Sequence, residues 1–294
     1  MISIIICSRN ERLDPKLVSN INSTIGVPFE IIAVDNSANN LTIFEAYNIG
    51  VSKSSGSILC FMHDDVLYHT QNWGDKVHTY FENERTGAIG IAGSPYVPQM
   101  LGSWWGGNLV NQQLLDTKSK TPTLQTKSVS GNNQDKSEVI VLDGVWICIK
   151  KSLFETICFD SSTFNDYHFY DIDICLQIHQ MDFKIFVVYD ILIEHLSSGK
   201  LNSQWIINVN KFNEKWKRKL PLASVSLSYN NRCQAEFKTL NEYVMILLAN
   251  KFSRKKAYRL AIAQTLRFYK GFFFYKTPYY LFKYLRGMLS NSPS

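Results

Sequence analysis

The residues whose types and spacing could do chemistry are His63, Asp64 and Asp65, which end the apolar run Ile58-Leu59-Cys60-Phe61-Met62. Two adjacent carboxylates in such a place suit a divalent cation held against a phosphorylated ligand, because hard cations take oxygen ligands and bridge to phosphates. A plainer reading has them end a strand in a solvated turn, where aspartate is common. Further polar groups follow other apolar runs: Ser8-Arg9-Asn10-Glu11, Asp35-Asn36-Ser37, Asp143-Gly144 and Glu194-His195.

The elements that must position these groups can be read from hydrophobic spacing. The run at Ile58, bounded by Gly56 and by acids, reads as a strand buried on both faces, as in the middle of a parallel sheet. Ser3 to Cys7 and Phe29 to Val34 read as strands. A helix through Leu13, Leu17 and Ile21 and another over Leu41 to Ser52 separate the three runs. This β-α-β-α-β alternation predicts right-handed crossovers and polar strand ends along one sheet edge, the carboxyl edge where open α/β sheets bind ligands.

Downstream, helices are predicted over Asn72 to Glu84 and Asp166 to Met181, and a short strand over Ala88 to Ala92. The polar stretch Asn111 to Ser137 reads as a long surface loop. Glu138 to Lys150 reads as two apolar runs pivoting on Asp143-Gly144, followed by a short helix at Ser152-Leu153-Phe154-Glu155 with a capping-box pattern. Lys184 to Ile193 reads as one strong strand closed by Glu194-His195. Asn202 to Lys217 reads as a helix, the body ends near Leu222, and Thr239-Leu240-Asn241-Glu242 reads as a capping box opening a further helix.

At 294 residues and 45% hydrophobic content, the chain suffices for one large α/β domain and an appendage. Its six cysteines include no C-x-x-C pair, which points to reduced thiols and a cytoplasmic location. The first apolar run is too short for a signal peptide and no run reaches about 18 apolar residues, so a chain neither exported nor membrane-spanning is expected. The net charge of +6 is carried by the tail: Lys251 to Ser294 holds ten of the 31 Lys and Arg and none of the 25 acids, leaving 21 − 25 = −4 elsewhere. That argues against a nucleic-acid groove in the main body. The tail interleaves its basic residues with aromatics, a composition suited to the headgroup layer of an anionic membrane, or to a helical hairpin whose rings pack on the body. No motif accompanies a single-stranded nucleic-acid reading, so no nucleic-acid partner is expected.

Taken in order, these strand ends resemble the GT-A glycosyltransferases of the large family 2 type, in the subset whose D-x-D motif is written His-Asp-Asp. The resemblance covers about residues 1 to 200. It implies an α/β fold with a GT-A, Rossmann-like, mostly parallel sheet flanked by helices over residues 1–222, and a C-terminal helical extension over 223–294. It implies that Asp65 and His195 hold a divalent metal, Mn²⁺ or Mg²⁺, with imidazole favouring Mn²⁺. Asp64, pointing the opposite way on an extended segment, would meet the ribose. In Tyr170-Asp171-Ile172-Asp173, Asp171 takes the place of the catalytic base, held ionised by the helix dipole, while tyrosine replaces the usual glutamate. Ser8, Arg9 and Asp35 would recognise the base, Asn48 matches a family position, and Lys200 would add charge over the phosphates. Asp143 and the Trp104-Trp105 pair are candidates for the acceptor side, the tryptophans equally for core packing. His63 and His69 read as structural.

The activity so implied is a metal-dependent, inverting transfer from a nucleoside-diphosphate sugar, UDP-linked, to a saccharide or lipid-linked acceptor in bacterial surface polysaccharide synthesis. The enzyme would be peripheral on the inner face of the cell membrane, held through its C-terminal segment. Two alternatives are a sugar-phosphate nucleotidyltransferase, whose glycine-rich loop after the first strand is missing here, and a non-catalytic carbohydrate-binding relative.

Overall fold

The computed structural model describes residues 1–99, 103–105, 109–116, 123–127, 135–196, 203–250, 254–267 and 277–289. They fall into two compact units, Met1–Pro95 with Val110–Gly199, and Tyr96–Leu109 with Lys200–Ser294. The first unit opens with β1 (Ile2–Ser8), α1 (Pro15–Thr24), β2 (Phe29–Asp35), α2 (Ile43–Lys53), β3 (Ile58–Met62), β4 (Val66–Tyr68), α3 (Trp73–Phe81), β5 (Thr86–Gly90) and β6 (Ala92–Ser94). After β7 (Tyr96–Val97), which belongs to the second unit, the first resumes with β8 (Asn111–Asp116), β9 (Thr123–Lys127), β10 (Lys136–Val139), β11 (Val141–Leu142) and β12 (Trp146–Lys150). A 3₁₀ turn, Lys151–Glu155, leads to α4 (Tyr170–Gln180), β13 (Lys184–Val188) and β14 (Ile193–His195).

A seven-stranded sheet of order β10-β13-β5-β12-β3-β1-β2 carries this unit. Five of its strands point the same way, while β12, inserted between β3 and β5, and the edge strand β10 are reversed. The β-α-β-α-β start folds as its sequence predicts, with β1 parallel to both β2 and β3. Its register pairs Ser8 with Asp35 and Ile6 with Met62, so the polar residues after all three strands line one edge. Ile2, Ile4 and Ile6 pack with Leu17, Ile21, Trp73 and Trp146 in the buried core. On α2, Tyr47 packs its ring 5.0 Å from Phe61 of β3. The helix starts at a true capping box, Thr42 with Glu45.

A second sheet, of order β11-β6-β8-β14-β4 with β9 added on β8, is built largely by strands leaving the first. The chain leaves the first sheet for the second four times: from β3 to β4, β5 to β6, β10 to β11, and β13 to β14. The predicted single strand Lys184 to Ile193 is therefore two. Between them the backbone bonds elsewhere: Tyr189 donates to the Asp135 carbonyl and Leu192 to the Thr70 hydroxyl. The predicted surface loop Asn111 to Ser137 also contains two strands, β8 and β9. Neighbouring backbones satisfy their polar groups, so the polar sequence Asn111-Gln112-Gln113 needs no apolar alternation to be a strand. Helix α4 begins at Tyr170 and not at Asp166, because Asp166 (φ 66°) and Phe169 (φ 75°) lie in the left-handed region. The capping-box pattern at Ser152 produces only the 3₁₀ turn, with no side-chain cap.

The second unit adds α5 (Ser203–Trp216), β15 (Leu222–Ala223), α6 (Tyr229–Ala249), α7 (Arg254–Arg267) and α8 (Thr277–Leu289), with β15 antiparallel to β7. Helix α6 is capped by Ser228, which accepts from the Asn231 amide, so it starts well before Thr239. Thr239 is buried inside the helix, and its spacing to Glu242 is not a cap. Buried Glu236 accepts from the Tyr96 hydroxyl at 2.7 Å and from the Gln99 amide at 2.9 Å, tying the Tyr96–Leu109 segment to α6. Tyr284 of α8 is buried, donates to Asn241 of α6 and lies 6.1 Å from the Tyr258 ring of α7. Tyr279, Phe282 and Leu285 on α8 are exposed, as are Lys283 and Arg286. No helix among the described residues is long and apolar enough to cross a membrane.

The packing of α2 on β1 is testable. A Cβ on Gly50 would lie 2.2 Å from Cγ2 of fully buried Ile5. Helix propensity favours alanine over glycine by about 1 kcal/mol, but forcing a methyl into a filled core costs about 1–3 kcal/mol. Packing should win, so Gly50→Ala is expected to lower stability in urea denaturation at an unchanged m-value.

Candidate active site

The ladder between β4 and β14 assembles the site. The two strands run antiparallel with Val66 opposite His195, and the Leu196 amide extends the pairing to the Asp65 carbonyl at 3.0 Å. Asp65 and His195 are thereby placed side by side although 130 positions separate them in the chain. His63 reaches the same point from the end of β3. Three atoms form a triangle: His195 Nε2 lies 3.3 Å from Asp65 Oδ1, His63 Nδ1 lies 3.3 Å from His195 Nε2, and His63 Nδ1 lies 3.9 Å from Asp65 Oδ1. Metal bonds of about 2.1 Å at right angles put neighbouring donors about 3 Å apart, so one face of a divalent cation fits these atoms with little adjustment. Burial, with His195 next in effect, holds the His63 imidazole below its usual pKa, keeping it in the neutral form a cation requires.

The sequence reads His63 as structural, whereas the fold places its ring in the only His/Cys/Asp/Glu cluster among the described residues that could hold a metal ion. Its signal was the period-2 rule. Residues 63 and 65 share a side on an extended segment, while 64 faces the other way. The charge of Asp64 adds to the burial that pushes the Cys7 thiol of β1 up. His69 points elsewhere, paired with Glu194 at 2.7 Å.

Asp171 and Asp143 form the second part of the site. Gly144 holds two consecutive residues of α4 with its own peptide groups. Its amide donates to Asp171 Oδ2 at 2.9 Å, and its carbonyl accepts from the Tyr170 hydroxyl at 3.0 Å. A Cβ on Gly144 would stand 1.9 Å from that hydroxyl, so only glycine allows the approach. Tyr170 in turn lies 3.1 Å from His63 Nε2, linking the two parts of the site. Asp171 also accepts from the Ile172 amide at 2.9 Å. The helix start was expected to keep Asp171 ionised, and here the balance runs the other way. Burial, with the charge of Asp143 adding to it, outweighs the backbone amides of Ile172, Gly144 and Asp171 itself and pushes the carboxyl up to about 7.

The remaining predicted residues are placed more loosely. Ser8 is buried and its hydroxyl accepts from the Asn10 amide, shaping the turn that carries exposed Arg9. Asp35 is exposed at the tip of β2, and the Ser37 amide bonded to it holds its carboxyl below the usual range. Asn48 uses both ends of its amide on the Phe159 backbone, at 2.8 and 3.1 Å, and so locks α2 to that loop. In the second unit, Trp104 is buried, while Trp105 is exposed and meets it edge to face at 5.5 Å. Lys200 lies outside the described residues.

A family model described as "Glycosyltransferase like family" matches residues 3–221. No curated protein matches the chain by sequence. Among solved structures, the mannosyltransferase PcManGT from Pyrobaculum calidifontis, in complex with GDP-Man and Mn²⁺, is 11% identical, with a TM-score of 0.50 over 99% of this chain and 88% of that one. TarS of S. aureus is also 11% identical, with a TM-score of 0.50 over 84% of this chain and 43% of its own. GalNAc-T7 with UDP, GalNAc and Mn²⁺ is 12% identical, with a TM-score of 0.48 over 74% of this chain and 50% of that one. The chain thus spans half of GalNAc-T7 and less than half of TarS. At such identities the likeness to PcManGT and TarS shows the fold, a GT-A arrangement of a mixed sheet flanked by helices.

The electrostatics of the acid pair can be measured directly. The Asp171 carboxyl should titrate near 7 in carbon-detected NMR. Replacing its charged neighbour, in Asp143→Asn, should move that midpoint down, because the like charge opposing ionisation is gone.

Proposed function

Because this chain belongs to the glycosyltransferase-like family, we propose that it is a metal-dependent, inverting glycosyltransferase moving a sugar from a nucleoside-diphosphate donor to a saccharide or lipid-linked acceptor in bacterial surface polysaccharide synthesis. The observation that carries this reading is the His63, Asp65 and His195 triangle at the sheet edge, joined through Tyr170 to the acid pair. A divalent cation bound there would stabilise the negative charge that grows on the departing diphosphate. PcManGT, with GDP-Man and Mn²⁺ bound, supports the donor class and a divalent metal. A histidine pair among the ligands favours Mn²⁺.

Each remaining role rests on a placement within the first unit. Asp64 binds the ribose. Arg9 and Asp35, on adjacent strand tips, read the base, with Asp35 accepting from a pyrimidine N–H in a uridine donor. Asp171 removes the acceptor hydroxyl's proton as the oxygen attacks the anomeric carbon, and its carboxyl, raised to about 7, is a stronger base than an ordinary carboxylate. Direct attack on the side opposite the leaving diphosphate inverts the anomeric centre. Asp143, beside Asp171, orients the acceptor.

The second unit supplies the lipid side of the proposal. Exposed Tyr279, Phe282 and Leu285 recur along α8 at helical spacing with Lys283 and Arg286 beside them, a face suited to anionic headgroups. It would hold the enzyme at the inner leaflet of the cell membrane.

Three outcomes are expected. Asp65→Ala should abolish Mn²⁺-dependent hydrolysis of UDP-sugars. Asp171→Asn should lower transfer by about 10²–10⁴-fold while nucleotide-induced thermal stabilisation persists. Transfer by the unmodified enzyme should rise with pH through about 7, since below that value Asp171 carries a proton and cannot accept another. A product that keeps the donor's anomeric configuration would refute the mechanism. For the tail, Phe282→Ser combined with Lys283→Glu should reduce sedimentation with phosphatidylglycerol vesicles, and unchanged binding would exclude α8 as the docking face.

A further inference from the structure

The Tyr170 hydroxyl stands between a histidine and a carbonyl, and the proton count there has one natural solution. The Gly144 carbonyl can only accept, so at 3.0 Å the hydroxyl gives it its single proton. The hydroxyl oxygen then faces His63 Nε2 at 3.1 Å with lone pairs, and a bond between them needs the proton on Nε2. A neutral imidazole protonated at Nε2 carries its lone pair on Nδ1. Nδ1 is the atom that closes the triangle with Asp65 Oδ1 and His195 Nε2.

From this geometry we infer that Tyr170 is a positioning residue for the metal site: it fixes the His63 tautomer and ring orientation that turn the Nδ1 lone pair toward the cation. The inference rests on the proposed metal site and adds to it a role for the tyrosine. Imidazole ligands commonly donate their other N–H to an acceptor that sets tautomer and orientation. Here that acceptor is a phenol whose own proton is taken by a backbone carbonyl.

The surroundings hold this arrangement in place. Tyr170 is buried, and Gly144 carries no side chain to push its hydroxyl away. The Tyr47 ring lies 5.4 Å from the Tyr170 ring, edge on, and its own hydroxyl gives its proton to the Met62 carbonyl at 3.4 Å. Gly144 also holds Asp171 through its amide, so one peptide unit sets the place of the proposed base and, through Tyr170, the aim of a ligand.

The test uses the full chain and two readouts other than activity. In the metal-free wild-type protein labelled with ¹⁵N-histidine, and with His63 assigned through His63→Gln, long-range ¹H–¹⁵N spectra should show His63 protonated at Nε2. In Tyr170→Phe the same spectra should show a mixture of tautomers. Titration with Mn²⁺ alone, read by the electron paramagnetic resonance of the free ion, should show an apparent dissociation constant raised by about 10-fold or more in that variant, the usual effect of removing such an outer partner. An Nδ1-protonated His63 in the wild type overturns the inference even if the variant fails to fold. Equal Mn²⁺ affinity in wild type and Tyr170→Phe overturns it too, and leaves the metal site standing. A wild-type protein that takes up no Mn²⁺ brings down the metal reading itself, and the inference with it.

Discussion

The candidate site depends on a short ladder, three residue pairs between β4 and β14, located where two strands have just left the large sheet. Strand register is a strict constraint, because a slip of one residue turns every side chain to the opposite face. With Val66 opposite His195, the Asp65 carboxylate and the His195 imidazole meet, and a slipped ladder would separate them. The register is held from below by apolar burial, since Val66, Tyr68 and Ile193 are all inside the core. The groups that could hold a cation are thus placed by hydrophobic packing beneath them rather than by their attraction for one another, which is weak without an ion between them.

A second constraint acts against stability. Asp171 and Asp143 are kept near each other in partly desolvated surroundings, so the Asp171 carboxyl holds its proton up to about 7. Between the ordinary aspartate value and about 7, the native state binds a proton that the unfolded chain has released. This carboxyl therefore weakens the fold as pH rises across that window. Packing alone gives no reason for such a pair, and strongly shifted groups gather where chemistry is done. Gly144 sustains the arrangement by giving its amide to Asp171 and its carbonyl to the Tyr170 hydroxyl, without a side chain that would obstruct either.

Among the described residues of the tail, aromatic rings occur in two settings. Tyr258 and Tyr284 meet inside the C-terminal helices, as a packed hairpin requires, while Tyr279 and Phe282 remain in solvent beside basic side chains. Composition states the choice between packing and display only for the segment as a whole, and the helical positions separate packed from exposed for these four rings.

Much of this protein was determined by local sequence. Runs such as Ile2 to Cys7 and Ile58 to Met62 are apolar on both faces and separated by amphipathic helices, and that alternation is enough to dictate parallel strands with their polar tips on one edge. The acids at 35, 64, 65 and 171 were visible because each ends or opens such an element. What only the tertiary structure decided lies where backbone pairing overrides side-chain pattern. The late start of α4 depends on the left-handed backbone at Asp166 and Phe169, and the polar strand at Asn111 and the break of Lys184–Ile193 into two strands depend on hydrogen-bond partners far away in the chain. So does the membership of His63 in the cluster, since His195 approaches it only once β14 has changed sheets. Nor could sequence foresee the raised carboxyl of Asp171: a helix start alone favours its charge, whereas the loss of water and the nearness of Asp143 are properties of the packed molecule.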